Sequence, residues 1–212
     1  MNRCTIIGIA GASGSGKSQF ANELRERFQD LGSEATLIQQ DSYYRDQSGL
    51  SLQQRDATNY DHPDAFEHDL LVSHLRQART GNPIRVPQYD YSTHNRKTDT
   101  RLIERTQVLI VEGILLFHHG PLRDLLDIKV YVEVPLETCL ERRIKRDRLE
   151  RGRDEHSVRE QFDSTVLPMY HQFVEPTRKF ADIIIHGSGS NEVALSMLSD
   201  HVQCRVDSST VS

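Results

Sequence analysis

Residues 5–18 read TIIGIAGASGSGKS. An apolar run enters Gly11-Ala12-Ser13-Gly14-Ser15-Gly16-Lys17-Ser18, which fits G-x-x-x-x-G-K-[ST], and a helix-forming stretch follows. Strand, glycine-rich turn and helix in that order make a phosphate cradle. The glycines let backbone N–H groups curl around phosphate oxygens, Lys17 reaches the β/γ-phosphates, and the Ser18 hydroxyl can hold Mg²⁺. The helix N-terminus adds a favourable dipole. The alternative, a Gly/Ser turn that matches by chance, has no reason to sit between such flanks, so a nucleotide site is the base of the reading.

Outward from this stretch the pattern alternates. Strands are expected at 4–10, 35–39, 107–117, 128–134 and 182–185, and helices at 17–31, 65–79, 122–126, 136–151, 157–173 and 191–204. Five strands interleaved with helices predict an α/β fold of P-loop NTPase type. It is a doubly wound parallel five-stranded sheet with helices on both faces and ligands at its carboxyl edge. The segment 41–64 is polar. Between 84 and 106, short β-prone pieces around Pro87 suggest a small β-hairpin insertion facing the substrate. No repeat or linker divides the chain, so residues 1–212 are expected to form one domain, with a disordered tail over 205–212.

The 212 residues carry 26 Lys and Arg against 31 Asp and Glu, a net charge of −5, with 36% hydrophobic and 27% charged positions. These values exclude a collagen-like or wholly disordered chain, and they argue against nucleic acid or an anionic membrane as partner. Cys4, Cys139 and Cys204 lie far apart without C-x-x-C spacing, which suits a reduced chain better than a disulfide framework or zinc site. No apolar run approaches the ~18 residues of a membrane span. The run 4–10 could pass for a signal h-region, yet it leads into the glycine loop instead of a cleavage site. A cytoplasmic protein is expected.

Further residues carry chemistry. Glu112 ends the strand VLIVE, either to hold a Mg²⁺ shell or to cap the next turn. Asp41 closes the second strand in QQDSYY. It could accept the proton of an acceptor hydroxyl across from a γ-phosphate, or it could be a turn residue. Tyr43 and Tyr44 read as partly buried surface aromatics. Arg142, Arg143, Lys145, Arg146, Arg148, Arg151 and Arg153 outnumber Glu141, Asp147 and Glu150 on one helix and its end. That run is a phosphate lid over 142–154, a solvated helix face or an RNA patch, and Gly152 marks the helix end. His62, His94, His118 and His119 lack metal-ligand spacing and read as structural or substrate contacts.

Together these pieces closely resemble the uridine kinase (uridine–cytidine kinase) family. GASGSGKS at 11–18, QDSYY at 40–44, NYDHPDAF at 59–66, PQYDYSTHNR at 87–96, VEGIL at 111–115, RRIKRDRLERGRD at 142–154 and ADIII at 181–185 fall in register. The resemblance implies phosphorylation of uridine or cytidine at the 5′-hydroxyl by ATP or GTP with Mg²⁺. Asp41 would be the catalytic base, aided by Lys17 and Arg146. Ser18 and Glu112 match the family's Mg²⁺ positions, with Asp41 a further candidate ligand. Asp61 would grip the ribose, with Arg146 and Gln161 holding the nucleoside. Tyr89 and His94 match base contacts, Tyr44, Tyr60 and Ile114 lie near sugar or base, and Arg143, Arg151 and Arg153 match the lid arginines. Tyr60 and Tyr91 stand where some members have Phe, and each hydroxyl needs a partner if buried. A homo-oligomer, a tetramer by resemblance, is expected. The rival readings are another P-loop small-molecule kinase and a regulatory NTPase, though no N-K-x-D guanine motif is present.

Overall fold

The computed structural model describes residues 4–210 and, within them, the side chains of all but 150, 151, 205 and 207–210. Its centre is a parallel sheet in the order β2-β5-β1-β6-β7. The strands are β1 (Thr5–Gly11), β2 (Ala35–Gln39), β5 (Val108–Glu112), β6 (Ile128–Glu133) and β7 (Ile183–His186). Side chains alternate across the pleat. Ile6 and Ala10 of β1 face one core, where α3 (His68–Arg79) contributes Leu71, Val72, Leu75 and Ala78. Ile7 and Ile9 face the other, filled by Phe20, Leu24 and Phe28 of α1 (Lys17–Asp30) and by Leu195, Leu198 and Val202 of α8 (Glu192–Thr210).

Register sets the site. Ile9 pairs with Glu112, and Glu112 pairs with Gln39, so β5 and β2 end level with one another while β1 runs two residues further, to Gly11. The glycine loop, Glu112 and the 3₁₀ turn Gln40–Tyr43 therefore emerge side by side at the carboxyl edge. The hairpin forms a separate sheet, with β3 (Ile84–Asp90) antiparallel to β4 (Asn95–Ile103) and a bulge between Pro87 and Tyr89.

Several boundaries differ from the sequence expectations. β5 stops at Glu112 instead of running through 117. Gln40 Oε1 accepts from the Leu115 amide at 2.9 Å, and a Cβ on Gly113 would lie 2.3 Å from Gln40 Cβ. The buried side chain of Gln40 thus turns the chain out of the sheet, and Ile114–Phe117 join the α3-side core. Helix 65–79 begins later, at His68, after a 3₁₀ turn at Pro63–Ala65. The polar segment hides α2 (Leu52–Asp56), started by a Ser51/Gln54 capping box. A short α4 (Gly120–Arg123) leads to β6, and α5 (Leu136–Arg151) keeps its expected bounds.

The expected helix 157–173 starts earlier, as α6 (Glu155–Gln161), because Asp154 Oδ1 caps the Ser157 amide at 2.9 Å. It continues through π turns on either side of α7 (Leu167–Met169) to Phe180. The tail expectation is also corrected. α8 runs past Cys204 to Thr210 with Val206 in the core, while residues 211–212 lie outside the described span.

Burial pushes the Cys4 and Cys139 thiols up to about 12 and about 11, the state of inert core cysteines. His68 stacks on His119 with ring centroids 4.8 Å apart, and burial holds His68 down to about 4. The unfolded chain protonates this ring near pH 6.5, whereas the folded chain does not. Its contribution to stability is therefore complete above pH 6.5 and declines as the pH falls toward 4. Urea midpoints measured across this range should fall less steeply in His68→Gln than in the wild type. Identical slopes would exclude His68 as a source.

Candidate active site

A cavity of about 470 Å³ opens at the carboxyl edge between the glycine loop, the turn after β2, the hairpin and α5–α6. The loop floor is tightly held. Gly14 has φ of 87° and packs against the Cys139 carbonyl, where a Cβ would sit 2.5 Å from oxygen. Gly11, Ala12, Ser13, Ser15 and Gly16 complete the turn into α1, whose N-cap is Gly16. From outside, Arg142 Nη1 donates to the Ser15 and Gly14 carbonyls at 3.2 and 3.4 Å. Gly187, after β7, approaches so closely that a Cβ there would lie 1.9 Å from Ser15 O.

Lys17 and Ser18 meet Glu112 over this floor. Ser18 Oγ donates to Glu112 Oε1 at 3.0 Å, and Lys17 Nζ lies 3.9 Å from Oε2. Burial raises the Glu112 carboxyl, with Lys17 opposing it and Asp41 adding to it. A hydroxyl beside a carboxylate, with Asp41 lining the same cavity, is a set of hard oxygen donors that fits Mg²⁺. No group of three or more His, Cys, Asp or Glu able to hold a metal occurs among the described residues, so such an ion would keep water and phosphate oxygens in its shell.

Opposite the loop, Asp41 Oδ2 accepts from the Tyr91 hydroxyl at 2.9 Å. Tyr60, the other position where a hydroxyl needs a partner, donates to Arg55 O at 3.0 Å and accepts from Gln47 Nε2 at 3.1 Å. Asp61 faces the cavity. Burial raises its carboxyl, Arg143 lowers it, and Asp41 raises it further.

Three tyrosines and a histidine form an aromatic corner. Tyr44 lies 5.0 Å from both Tyr60 and Tyr89 between ring centroids, and His94 stacks on Tyr60 at 5.6 Å and 27°. Tyr43 and Tyr44 are buried and not surface aromatics, Tyr43 bonding His74 Nδ1 at 2.9 Å. His94 holds a left-handed φ of 48° at the hairpin tip, with Nε2 3.4 Å from Asp56 Oδ1 of α2. Arg55 Nη1 donates to Thr93 O, so α2 braces the tip. Ile114 adds an apolar wall.

The arginines close the cavity. Arg143, Arg146, Arg153 and Gln161 line it, and Gln161 Oε1 accepts from Arg143 Nη2 at 3.0 Å and Arg153 Nη1 at 2.6 Å. Arg143 Nη1 donates to Ser13 Oγ at 3.2 Å. The side chain of Arg151 lies outside the described residues. The structure also adds residues to which the sequence reading gave no site role, Gln39 on the cavity wall, Gly187 under the loop, Asp56 beside His94 and Asp147 beneath the arginines, and it places Arg142 of the basic run under the loop. Among these four, only Asp147 carried a readable signal, an acid set directly between Arg146 and Arg148.

The sequence profile of the phosphoribulokinase / uridine kinase family matches residues 6–194. The chain belongs to that family. Among its relatives, the uridine kinase of Staphylococcus carnosus is 46% identical over 207 residues, covering 98% of this chain and 99% of its own. That of Shewanella amazonensis is 47% identical over 203 residues, covering 95% and 96%. The fold extends to more distant kinases. Phosphoribulokinase from Rhodobacter spheroides superposes with a TM-score of 0.65 at 22% identity, over 88% of this chain and 71% of that one. D-glycerate 3-kinase from Cryptococcus neoformans does so with 0.67 at 16% identity, over 88% and 87%. These two likenesses speak for the family's P-loop kinase fold alone. Among the described residues, no helix is long and apolar enough to cross a membrane.

Proposed function

We propose that the chain is a uridine–cytidine kinase that transfers the γ-phosphoryl group of ATP or GTP to the nucleoside 5′-hydroxyl, giving UMP or CMP in pyrimidine salvage. The observation that carries this reading is one cavity bounded by the phosphate loop, by the Asp41 carboxylate and by the Tyr44, Tyr60, Tyr89 and His94 corner. The close relatives named uridine kinase support it.

The loop amides and Lys17 bind the β- and γ-phosphates. Asp41 takes the proton of the 5′-hydroxyl as its oxygen bonds to Pγ, while the bond from Pγ to the β–γ bridging oxygen breaks and its electron pair leaves with the diphosphate. Ser18 and Glu112, with Asp41 beside them, would hold Mg²⁺, which when bound would supply positive charge against the phosphates. Asp61 accepts from the ribose hydroxyls. Tyr89 and His94 read the pyrimidine edge, and a neutral imidazole can donate and accept, which suits uracil or cytosine. Arg146 and Gln161 hold the nucleoside from the other side. Arg143 and Arg153, with Arg151 in the same run, neutralise the moving phosphoryl and exclude water that would otherwise hydrolyse it. The working enzyme is a homo-oligomer, a tetramer, in the cytoplasm.

The direct test incubates the protein with Mg²⁺ and ATP or GTP across uridine, cytidine, deoxynucleosides, purine nucleosides and pantothenate, with products identified by mass. UMP and CMP formed only from uridine and cytidine support the reading. Hydrolysis without an acceptor, or phosphorylation of another alcohol, overturns it. His94→Ala should lower kcat/KM for the nucleoside at least ~10-fold, the scale of one lost specific polar contact, with nucleotide affinity nearly unchanged. Equal losses for both substrates would remove His94 from base reading.

A further inference from the structure

Asp147 is fully buried on α5, yet it does not line the cavity. Its Oδ1 accepts from Arg146 Nε at 3.0 Å, and its Oδ2 lies 3.4 Å from Arg153 Nη1 and 3.8 Å from Arg143 Nε. Its backbone carbonyl accepts from the amides of Gly152 and Arg153, closing α5 with Gly152 in the left-handed conformation. Both ends of one residue thus fold Arg153 back toward Arg143 and Arg146. We propose that Asp147 is a positioning residue that assembles these three arginines before a nucleotide arrives. The inference rests on the proposed reading of Arg143 and Arg153 as phosphate-facing and of Arg146 as holding the nucleoside.

The physical argument concerns charge and order. Three guanidiniums crowded at one cavity wall repel one another, and long side chains left without a counter-charge turn to solvent. The buried carboxylate of Asp147 holds them together, and these four groups keep a positive excess on the wall of the cavity that Asp61 also lines. The path then extends in both directions. Arg143 reaches Ser13 of the glycine loop, and Gln161 of α6 joins Arg143 to Arg153. Loop, α5 and α6 therefore present a formed anion site, so that little reorganisation remains when charge develops during transfer.

The test compares wild type, Asp147→Asn, Arg153→Gln and the double variant by single-turnover transfer from ATP to uridine and by nucleotide titration calorimetry. Asp147→Asn, nearly isosteric, is expected to slow transfer ~10- to 100-fold while nucleotide affinity changes less than about fivefold, the split expected when positioned charge acts on the transition state. In the Arg153→Gln background the same substitution should cost at least threefold less, because one of the groups it positions is already gone. Asp147→Glu, which keeps the charge, should recover part of the rate. Unchanged transfer in Asp147→Asn, or an equal loss in both backgrounds, overturns the proposal. If Arg153→Gln is slowed and Asp147→Asn is not, this inference alone fails; if neither is slowed, the lid reading fails with it. Should Asp147→Asn not fold, the wild-type protein decides. A slowly exchanging Arg146 Nε–H signal in nuclear magnetic resonance spectra without nucleotide is expected, and its appearance only after ATP is added overturns pre-assembly.

Discussion

Asp41→Asn should retain nucleotide affinity and lose turnover by ~10² or more, the size of effect attached to a positioned acid–base group. The amide keeps the shape of the carboxylate and can still meet the Tyr91 hydroxyl, which lies 2.9 Å from Oδ2 in the wild type. What it lacks is the ability to take a proton. The glycine loop, Lys17, Ser18 and Glu112 stand on other elements and are untouched, so calorimetry with a non-hydrolysable ATP analogue should give a wild-type dissociation constant. Near-normal turnover would withdraw Asp41 from proton transfer. A parallel loss of nucleotide binding would instead point to a metal-holding role.

The second large effect comes from a residue with no functional group. Gly187→Ala would place a Cβ 1.9 Å from Ser15 O and 2.8 Å from Val132 Cγ1. One of these neighbours is backbone, so the β7–α8 turn or the glycine loop must shift. A displacement of ~1 Å in a positioning element can cost ~10² in rate, and here it falls on the groups that cradle phosphate. We expect nucleotide affinity and kcat/KM to fall together by about that factor, with a lower melting temperature. Gly49→Ala is the control, because nothing lies within 4 Å of its Cβ and its effect should stay within about 0.5 kcal/mol. Unimpaired nucleotide binding in Gly187→Ala would show that the turn yields without disturbing the loop.

The fold was legible wherever local pattern and tertiary role agree. β2 and α5 keep their expected bounds, and the phosphate loop sits between strand and helix as its motif requires. Where a distant side chain decides, local pattern misleads. The run 107–117 reads as one strand because it is nearly all apolar, and Gln40, from another part of the chain, turns it aside after Glu112. Likewise α8 continues past Cys204 through a polar stretch because Val206 reaches the core. In the cavity, residues with distinctive chemistry in a motif could be named beforehand. Gly187 could not, and Arg142 was legible only as one of a basic run, since the contribution of each is contact with the back of the loop, and contact across the sheet leaves no mark in neighbouring positions. The Ser51/Gln54 capping box of α2 was readable as S-x-x-Q, yet its purpose, bracing the hairpin through Arg55 and Asp56, emerges only in three dimensions.

The two-stranded hairpin shares no backbone ladder with the five-stranded sheet. Donor chemistry and acceptor choice therefore rest on separate backbone ladders joined by side chains, with Ile84, Val86 and Ile103 of the hairpin in one core with Ile6 and Ile38, and Arg101 Nη2 donating to Leu37 O at 2.7 Å. Evolution can rewrite the tip of the hairpin, beyond the residues that pack into that core, without retuning the strands that align the loop with Glu112 and Asp41. A single phosphoryl-transfer chassis can then be refitted for alcohols of unlike shape by exchanging one attachment.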